Sequence, residues 1–406
     1  MKWARRWICR MFQTSMRLLF PFLPYRNPQI LHAINQIDTV KKQHPLIVTG
    51  SHTSKSEGMK ELIHHYDNVT IFDGVKANPT TEMIDTAFQL YEKEHCDHII
   101  GFGGGSSLDC AKAVAAQVAQ PRKSIAQMAG VLKVCKQTPF MILIPTTAGT
   151  GSETTIAAVV TDSQTHHKYA INDFSLIPDV AILEPALTVS LPPHLTASTG
   201  MDALTHAMEA YIGRSTTKQT RQEALEAIRL IYENILVAYQ EGTNIEARKN
   251  MLHASYLAGD AFSKSYVGYV HAIAHSLGGQ YNLPHGQTNA TLLPIVLKAY
   301  GHPIDKKLHD MACVVGLADE STSDAQAAQR MIQSIQKLNR AMDIPSTIPQ
   351  IRKEDIALMA RYADQEANPL YPVPVLWDQK ELGILYEQAM DKPKNLATIK
   401  EKKSRK

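Results

Sequence analysis

The fold of this chain is constrained most by a change in its hydrophobic pattern near residue 190. Up to about residue 185, short apolar or β-branched runs alternate with helical stretches such as 81–95 and 107–119. Strands interleaved with helices in this way predict βαβ units and a mainly parallel sheet. The predicted strands are 45–50, 68–74, 97–105, 139–147, 157–162 and 179–185.

Beyond Pro192 and Pro193 the period changes to that of helices, and it stays so to about residue 393. The clearest helical segments there are 219–240, 246–264, 289–300 and 325–342. A chain of 406 residues is too long for one ordinary core, so we expect two domains. We predict an N-terminal arm over 1–27, an α/β domain over 28–190, an all-α domain over 191–393 and a basic tail over 394–406.

Charge and cysteine content exclude several classes of protein. The net charge is +3, but six basic residues precede the first acidic residue, Asp38, so the remainder carries about −3. The six are Lys2, Arg5, Arg6, Arg10, Arg17 and Arg26. The main body therefore has no basic footprint for nucleic acid, and we expect no such partner. Five cysteines without a CxxC pair argue against a disulfide framework, so a reducing, cytoplasmic location fits best.

The basic arm has three alternative interpretations. Residues 1–26 contain no acidic side chain and several aromatic ones, with the apolar stretch LLFPFLP at 18–24. The arm can pack on the protein's own surface or on a second subunit, contact a membrane surface peripherally, or act as a mitochondrial presequence. Pro21 and Pro24 interrupt the apolar stretch, which argues against a cleaved secretory signal. No apolar run reaches the roughly 18 residues that a membrane-spanning helix needs.

Two glycine-rich loops follow predicted strands of the α/β part. In IIGFGGGSSLDCAKAVAAQ, residues 99–117, a strand turns through glycines into a helix that Ser106 or Ser107 is predicted to cap. Such a turn suits a pyrophosphate, although this one lacks the GxGxxG spacing and is weak evidence alone. IPTTAGTGSETT, residues 144–155, adds hydroxyls and backbone donors after another strand. Because ligands of parallel sheets bind at the carboxyl ends of strands, the two loops together favour a nucleotide site.

Metal chemistry is expected in the helical part. Asp202 and His206 are four residues apart, which on a helix brings a carboxylate and an imidazole to one face. His271 and His275 repeat that spacing, and His285 follows in LPHG. An aspartate with three imidazoles suits Fe(II), Zn(II), Mn(II) or Co(II). A single histidine is more often a core or surface imidazole, but two such pairs on otherwise apolar faces favour a metal site.

At this point four motifs identify a resemblance. GGGSSLD (103–109), PTTAGTGSE (145–153), GMDALTHAMEAY (200–211) and HAIAHSLGGQYNLPHG (271–286) together resemble the iron-containing alcohol dehydrogenases, a family that includes butanol dehydrogenases and lactaldehyde reductase. The resemblance spans about residues 28 to 390. It implies a dehydroquinate-synthase-like fold, in which a Rossmann-like dinucleotide-binding domain at 28–190 precedes a metal-binding helical domain at 191–393. It also implies a homodimer.

The resemblance also assigns residues. It implies a single divalent metal, with Fe(II) expected and Zn(II) as the alternative, held by Asp202, His206, His271 and His285. His275 matches a further histidine of the family that lies near the metal without binding it, and we expect it to relay a proton as acid or base. The implied contacts to NAD(P) are Asn78, Gly104, Gly105, Ser106, Ser107, Asp109, Thr146, Thr147, Thr155 and Lys168.

One departure from the family pattern concerns the choice of cofactor. Gly50 ends the first long strand where many relatives have an aspartate that receives the ribose hydroxyl of NAD. Its replacement by glycine, with Ser51, Thr53, Ser54 and Lys55 following, leaves room and donors for a 2′-phosphate. The sequence therefore favours NADP(H) over NAD(H).

The expected activity is that of a metal-dependent, NAD(P)-linked alcohol dehydrogenase or aldehyde reductase acting on a small alcohol or aldehyde. A dehydroquinate-synthase-like lyase is the first alternative, but it would need a basic phosphate clamp that the sequence does not offer. A metal-free reductase of the maleylacetate type and a non-catalytic member of the fold are disfavoured, because all four expected ligands are present. The particular alcohol or aldehyde is left open.

Overall fold

The computed structural model of the protein describes residues 3–19, 23–163 and 168–391, except for the side chain of Met16. The predicted basic tail at 394–406, the last two residues of the predicted helical domain and parts of the arm lie outside the described residues.

The larger sheet has six strands, all parallel, in the order β1-β9-β6-β4-β2-β3. Its strands are β1 (Gln29–Leu31), β2 (Pro45–Gly50), β3 (Thr70–Val75), β4 (His98–Gly103), β6 (Phe140–Pro145) and β9 (Val180–Ile182). Every residue of β4 is buried, because apolar side chains cover both faces of a central parallel strand. Five of the six predicted strands belong to this sheet, which confirms the predicted parallel architecture.

The sixth predicted strand, 157–162, lies elsewhere. It forms β7 (Ala157–Thr161) of a separate three-stranded sheet with β5 (Gly130–Val131) and β8 (Lys168–Asn172). β7 and β8 pair antiparallel, with Ala157 opposite Asn172 and Thr161 opposite Lys168. The short strands β1, β5 and β8 were not predicted, since β1 and β5 carry too few residues to show a period and β8 is half polar.

Helices α2 (Glu57–His64), α3 (Thr81–Lys93) and α4 (Gly105–Ala119) connect the strands of the larger sheet. Helix α4 follows β4 almost at once, and its N-cap is Gly104 without any side-chain cap. The prediction that Ser106 or Ser107 caps this helix was therefore wrong, because both serines already lie within its first turn. The turn needs glycine at Gly103, whose φ is +145° and whose side chain would meet the Ser107 hydroxyl at 2.7 Å.

Residues after 190 are helical, as predicted, and no strand occurs among the described residues beyond Ile182. The helices are α5 (Pro193–Ile212), α6 (Lys218–Gln240), α7 (Ile245–Ser265), α8 (Tyr269–Tyr281), α9 (His285–Tyr300), α10 (Asp305–Val314), α11 (Asp324–Ala341), α12 (Lys353–Ala367) and α13 (Gln379–Ala389). Helix α5 is buried along most of its length and forms the centre of this part. The proposed domain boundary near residue 190 falls between the last strand and α5.

The arm forms helix α1 (Trp3–Leu19), which packs on the protein's own helical part. Arg5 forms a two-pronged ion pair with Asp364, at 3.0 and 2.9 Å. Arg10 donates to the carbonyl oxygens of Val373 and Pro374 at 2.7 and 2.8 Å. This packing on the protein's own surface corresponds to the first of the three interpretations of the arm. Within the described part of the chain, no helix combines the length and the hydrophobicity needed to cross a bilayer.

Candidate metal and nucleotide site

Most of the predicted site residues converge on one cleft between the sheet edge and the helices. Gly103 pairs with Pro145 at the carboxyl ends of β4 and β6, so the two glycine-rich loops lie side by side. A cavity of about 400 Å³ opens beyond them. Twelve predicted site residues line it, namely Asn78, Gly105, Ser106, Asp109, Thr147, Thr155, Lys168, Asp202, His206, His271, His275 and His285. Gly50, Gly104, Ser107 and Thr146 do not line this cavity.

Three of the predicted metal ligands present their donor atoms to one point. Nitrogen or oxygen atoms of Asp202, His271 and His285 all lie within 4.8 Å of one another. Oδ1 of Asp202 is 3.8 Å from Nε2 of His271 and 3.6 Å from Nε2 of His285. Ligand atoms around a tetrahedral metal with bonds of about 2.1 Å are separated by about 3.4 Å. The trio is thus slightly wider than a metal would require.

The donor set fits a divalent metal on a second ground. Nε2 of His271 is buried and has no hydrogen-bond partner among the described residues. A buried polar atom without a partner is costly, and a metal ion satisfies such a nitrogen directly. Burial also lowers the pKa of His285 well below its ordinary value, so this imidazole is neutral near pH 7 and offers a lone pair.

His206 belongs to the site but not to the group of three. Its ring stacks on that of His271 with the centroids 4.4 Å apart. Its Nδ1 lies 3.3 Å from the carbonyl oxygen of Gly149. If Nδ1 donates to that carbonyl, Nε2 carries the lone pair. Burial lowers the pKa of His206 well below its ordinary value, which keeps the ring neutral.

Glu209 fixes the orientation of His271. Its carboxylate accepts from Nδ1 of His271 at 2.6 Å and from the backbone N–H groups of Gly268 and Val270 at 2.9 and 2.7 Å. The last two donors belong to the N-terminus of α8, where a negative charge is favoured. Burial has the largest single effect on the pKa of His271 and lowers it, but the hydrogen bond to Glu209 and the charges of Glu209, Asp202 and Glu366 together raise the pKa overall. Glu209 thereby turns Nε2 of His271 towards Asp202.

Asn289 plays a similar part for the aspartate. Its side-chain amide donates to Oδ1 of Asp202 at 2.7 Å and lies 3.2 Å from Nε2 of His285. Burial raises the pKa of Asp202, since a carboxylate without water needs such partners to stay ionised. Asn289 therefore holds two donor atoms of the trio in place.

His275 lies at the edge of the trio and has its own carboxylate partner. Its Nδ1 lies 2.7 Å from Oε1 of Glu366, which also accepts from the Tyr371 hydroxyl at 2.7 Å. Burial tends to raise the pKa of Glu366, but the charge and hydrogen bond of His275 lower it overall. The ring stacks on His285 with the centroids 5.1 Å apart. With Nδ1 engaged, Nε2 is the nitrogen left for exchange with a ligand.

Asp109 and Lys112 organise the sheet side of the cavity. The Asp109 carboxylate accepts from the Ser152 hydroxyl at 2.6 Å and from the Val159 N–H at 3.1 Å. Lys112 is wholly buried and donates to the carbonyl oxygen and hydroxyl of Thr155 at 2.6 and 2.9 Å. Burial lowers the pKa of Lys112 to about 8. Both side chains therefore hold the second glycine-rich loop, residues 144–155, in place through hydrogen bonds to Ser152 and Thr155.

Lys168 and Asn78 link the two halves of the cleft. The Lys168 ammonium donates to Oδ1 of Asn78 at 3.1 Å, and the Asn78 amide donates to Oδ1 of Asn282 at 3.2 Å. Asn78 belongs to the α/β part, whereas Asn282 follows α8. Burial lowers the pKa of Lys168.

Two glycines of the second loop serve close packing. A side chain at Gly149 would meet Thr199 of α5 at 2.6 Å, and one at Gly151 would meet the backbone of Gly259 in α7 at 2.7 Å. Gly151 also has a φ of +60°. These glycines bring the loop against the helices, and Thr147 and Thr155 of the same loop line the cavity.

The loop after β2 lies beside the first glycine turn. The Thr53 hydroxyl is 4.0 Å from the position that a side chain at Gly103 would take. Lys55 is exposed, so its ammonium is available to a ligand.

Sequence reasoning missed Glu209, Asn289 and Glu366. Glu209 had a signal, because it follows Asp202 and His206 on one helical face at positions i, i+4 and i+7. Asn289 follows His285 by one helical turn in the same way. Glu366 had none, since its partner His275 is 91 residues away.

Comparison with known proteins agrees with the resemblance. Residues 26–185 match the family model for iron-containing alcohol dehydrogenase, and residues 196–390 match the C-terminal model for that family. The chain is 38% identical over 324 residues to a 1,3-propanediol dehydrogenase of Citrobacter freundii, covering 79% of this chain and 83% of the relative.

Two further likenesses agree. An NAD-dependent methanol dehydrogenase of Bacillus methanolicus is 36% identical over 344 residues, covering 82% and 90% of the two chains. A solved 1,3-propanediol oxidoreductase superposes with a TM-score of 0.85 at 34% identity, over 90% of this chain and 99% of that one.

Proposed function

The chain belongs to the iron-containing alcohol dehydrogenase family, and from that premise we propose that it is a metal-dependent, NAD(P)-linked dehydrogenase of small alcohols and aldehydes. Family membership makes it an oxidoreductase. The observation that best supports the metal is the buried Nε2 of His271, which has no hydrogen bond to any described residue and lies beside Asp202 and His285. We propose Asp202, His206, His271 and His285 as its ligands.

The mechanism assigns a task to each side of the cleft. When bound, a divalent metal held by the four proposed ligands would supply Lewis acidity, and NAD(P) in the cavity would supply hydride-transfer chemistry. Glu209 and Asn289 orient His271 and Asp202, two of the side chains that would hold the metal. His275, held by Glu366 through Nδ1, gives a proton to the forming alcohol or takes one from it at Nε2. The loops at the sheet edge position the cofactor relative to the substrate.

The finer features of this proposal follow the sequence. We propose Fe(II) as the metal, with Zn(II) as the alternative, because both suit nitrogen and oxygen ligands. Gly50 and the hydroxyls and ammonium of 51–55 support NADP(H), although the methanol dehydrogenase relative is named for NAD. The remaining cofactor contacts are those lining the cavity, together with Gly104, Ser107 and Thr146 of the same two loops. A cytoplasmic homodimer completes the proposal.

The direct test is a metal-reconstitution assay. Enzyme stripped of metal and reloaded anaerobically with Fe(II) or Zn(II) is mixed with NADPH or NADH and a panel of short aldehydes. We expect oxidation of the cofactor only after reloading with metal. We also expect kcat/KM for NADPH to be about ten-fold higher than that for NADH, because contacts to the 2′-phosphate contribute about 1.4 kcal/mol. A preference for NADH would overturn the choice of NADP. Oxidation of neither cofactor under any loading would favour the lyase or non-catalytic alternative.

A second prediction concerns His275. Replacing it with alanine removes the proton donor while leaving the proposed ligands intact, so we expect kcat for aldehyde reduction to fall about 100-fold. Metal content, measured by mass spectrometry, should stay at the wild-type level. His302→Ala serves as the control, because that imidazole is 95% exposed and does not line the cavity. Wild-type turnover in the His275 variant would exclude the proposed proton transfer.

A further inference from the structure

Helix α1 is oriented with its polar side chains towards the protein. Arg5 pairs with the buried Asp364, and Gln13 donates to the carbonyl oxygen of Tyr371 at 2.7 Å. Cys9, between them on the same face, is 2% exposed. A surface helix of a globular protein ordinarily buries its apolar stripe and exposes its polar one. This helix does the reverse, so its attachment to the protein leaves the apolar stripe uncovered.

The uncovered stripe is large and continuous. At 100° per residue, its side chains fall within one half of the helix circumference. They are Trp3 (80% exposed), Trp7 (55%), Ile8 (57%), Met11 (49%), Phe12 (38%), Leu18 (66%) and Leu19 (55%). We call these seven side chains the outer face of α1. A contiguous apolar surface of this kind marks an interaction site rather than ordinary exposure.

The polar groups on the outer face are already satisfied within the helix. The Thr14 hydroxyl donates to the carbonyl oxygen of Arg10 at 2.8 Å, and the Ser15 hydroxyl donates to that of Met11 at 2.9 Å. Hydroxyls bonded back to their own helix can enter an apolar medium without losing a partner. The outer face is therefore compatible with hydrocarbon as well as with a protein surface.

Charge decides between these two environments. The chain has no acidic residue before Asp38, and Arg6 and Arg17 are exposed, about 40 to 60° around the helix from the edge of the outer face at Trp3. The Arg6 guanidinium is 3.6 Å from Glu381, with both side chains substantially exposed. Two copies of this face packed on each other would bring basic helices together. An anionic lipid surface accepts both the apolar side chains and the flanking charges.

We propose that the outer face of α1 docks this enzyme on an anionic lipid surface, lying in the plane of the interface. The tryptophan rings sit at headgroup level, where their amphipathic character is favoured. The body of the protein, with a net charge of about −3 outside the arm, faces away from the lipid. The proposal does not depend on which aldehyde the enzyme reduces.

The test uses the full-length protein and two kinds of vesicle. One contains phosphatidylcholine with about 30% phosphatidylglycerol, and the other phosphatidylcholine alone. We expect at least about ten-fold tighter binding to the anionic vesicles in co-sedimentation, weakened by high salt. Brominated lipids should quench fluorescence, because two of the three tryptophans, Trp3 and Trp7, lie on the outer face while Trp377 is 8% exposed. Absence of binding or of quenching would overturn the proposal.

A triple variant locates the contact. Trp7→Ser/Ile8→Ser/Met11→Ser should bind anionic vesicles at least about ten-fold more weakly than wild type, with unchanged activity on a short aldehyde. Ile245→Ser is the matched control, because that side chain is 50% exposed on another helix, and it should bind normally. If the triple variant binds as wild type, the lipid contact lies elsewhere. If it instead lowers the oligomeric state in sedimentation velocity, the outer face is a subunit interface and the proposal is wrong.

Discussion

His271→Ala is expected to lower kcat/KM for aldehyde reduction by at least about 1,000-fold and to abolish metal retention. The imidazole is 2% exposed, and in the part of the chain that the structure describes its Nε2 has no hydrogen-bond partner, which leaves it for the proposed metal. Alanine removes that nitrogen and leaves the Glu209 carboxylate facing an empty space. Both activity and bound metal are measured on the same preparation, before and after dialysis against chelator.

The control for this substitution is His309→Ala. His309 is also buried, at 7% exposed, and it is hydrogen-bonded to Asp324 and to the carbonyl oxygen of Asp319 on the outside of the helical part. This variant should lose some stability but keep its metal. A His271 variant that keeps stoichiometric metal and wild-type turnover would remove this histidine from the ligand set.

Glu209→Gln is expected to weaken metal binding by about 10- to 100-fold while leaving all four proposed ligands in place. The carboxylate accepts three hydrogen bonds, from His271, Gly268 and Val270, and an amide of the same size cannot accept all three without directing its own N–H at a donor. We expect the free energy of unfolding of the metal-free protein to fall by about 2 kcal/mol as well.

The two variants are distinguished by rescue. Excess metal should restore most of the activity of Glu209→Gln, because only the affinity is reduced, whereas it should not restore His271→Ala. Competition with a chromogenic chelator gives the affinity, and urea unfolding of the stripped enzyme gives the stability. Glu233→Gln, an exposed carboxylate on α6, should change neither. Unaltered metal affinity in Glu209→Gln would mean that the orientation of His271 is set by other contacts.

Local sequence patterns predicted the strands and helices, but not which strands pair with each other. The bounds of strands such as 97–105 and helices such as 219–240 were predicted to within a few residues. Their hydrophobic periodicity can be recognised in consecutive residues. The strand at 157–162 was predicted, but its place in a second sheet was not, since nothing in its own sequence reveals that it pairs with β8. Pairing depends on the partner strand, which a period does not identify.

The residues of the candidate site show the same contrast between local and long-range contacts. Asp202 with His206 and His271 with His275 were found because a helical turn sets their spacing. Glu366 escaped notice, although it lies 2.7 Å from His275, because contacts between distant segments leave no local pattern. The arm shows the same limit. Its composition indicated an amphipathic helix, but only the packing of Arg5 and Gln13 shows which face turns inward.

The glycines of the second loop bear on how the cleft can open. At Gly149 and Gly151 the loop packs against α5 and α7 with no space for a side chain. The two halves of the protein are therefore in close contact at this end of the cleft. At the other end, the two halves meet through the exposed hydrogen bond between Asn78 and Asn282, a contact that breaks at little cost. A rotation of the two halves about this packed end would separate Asn78 from Asn282 and widen the cleft on that side.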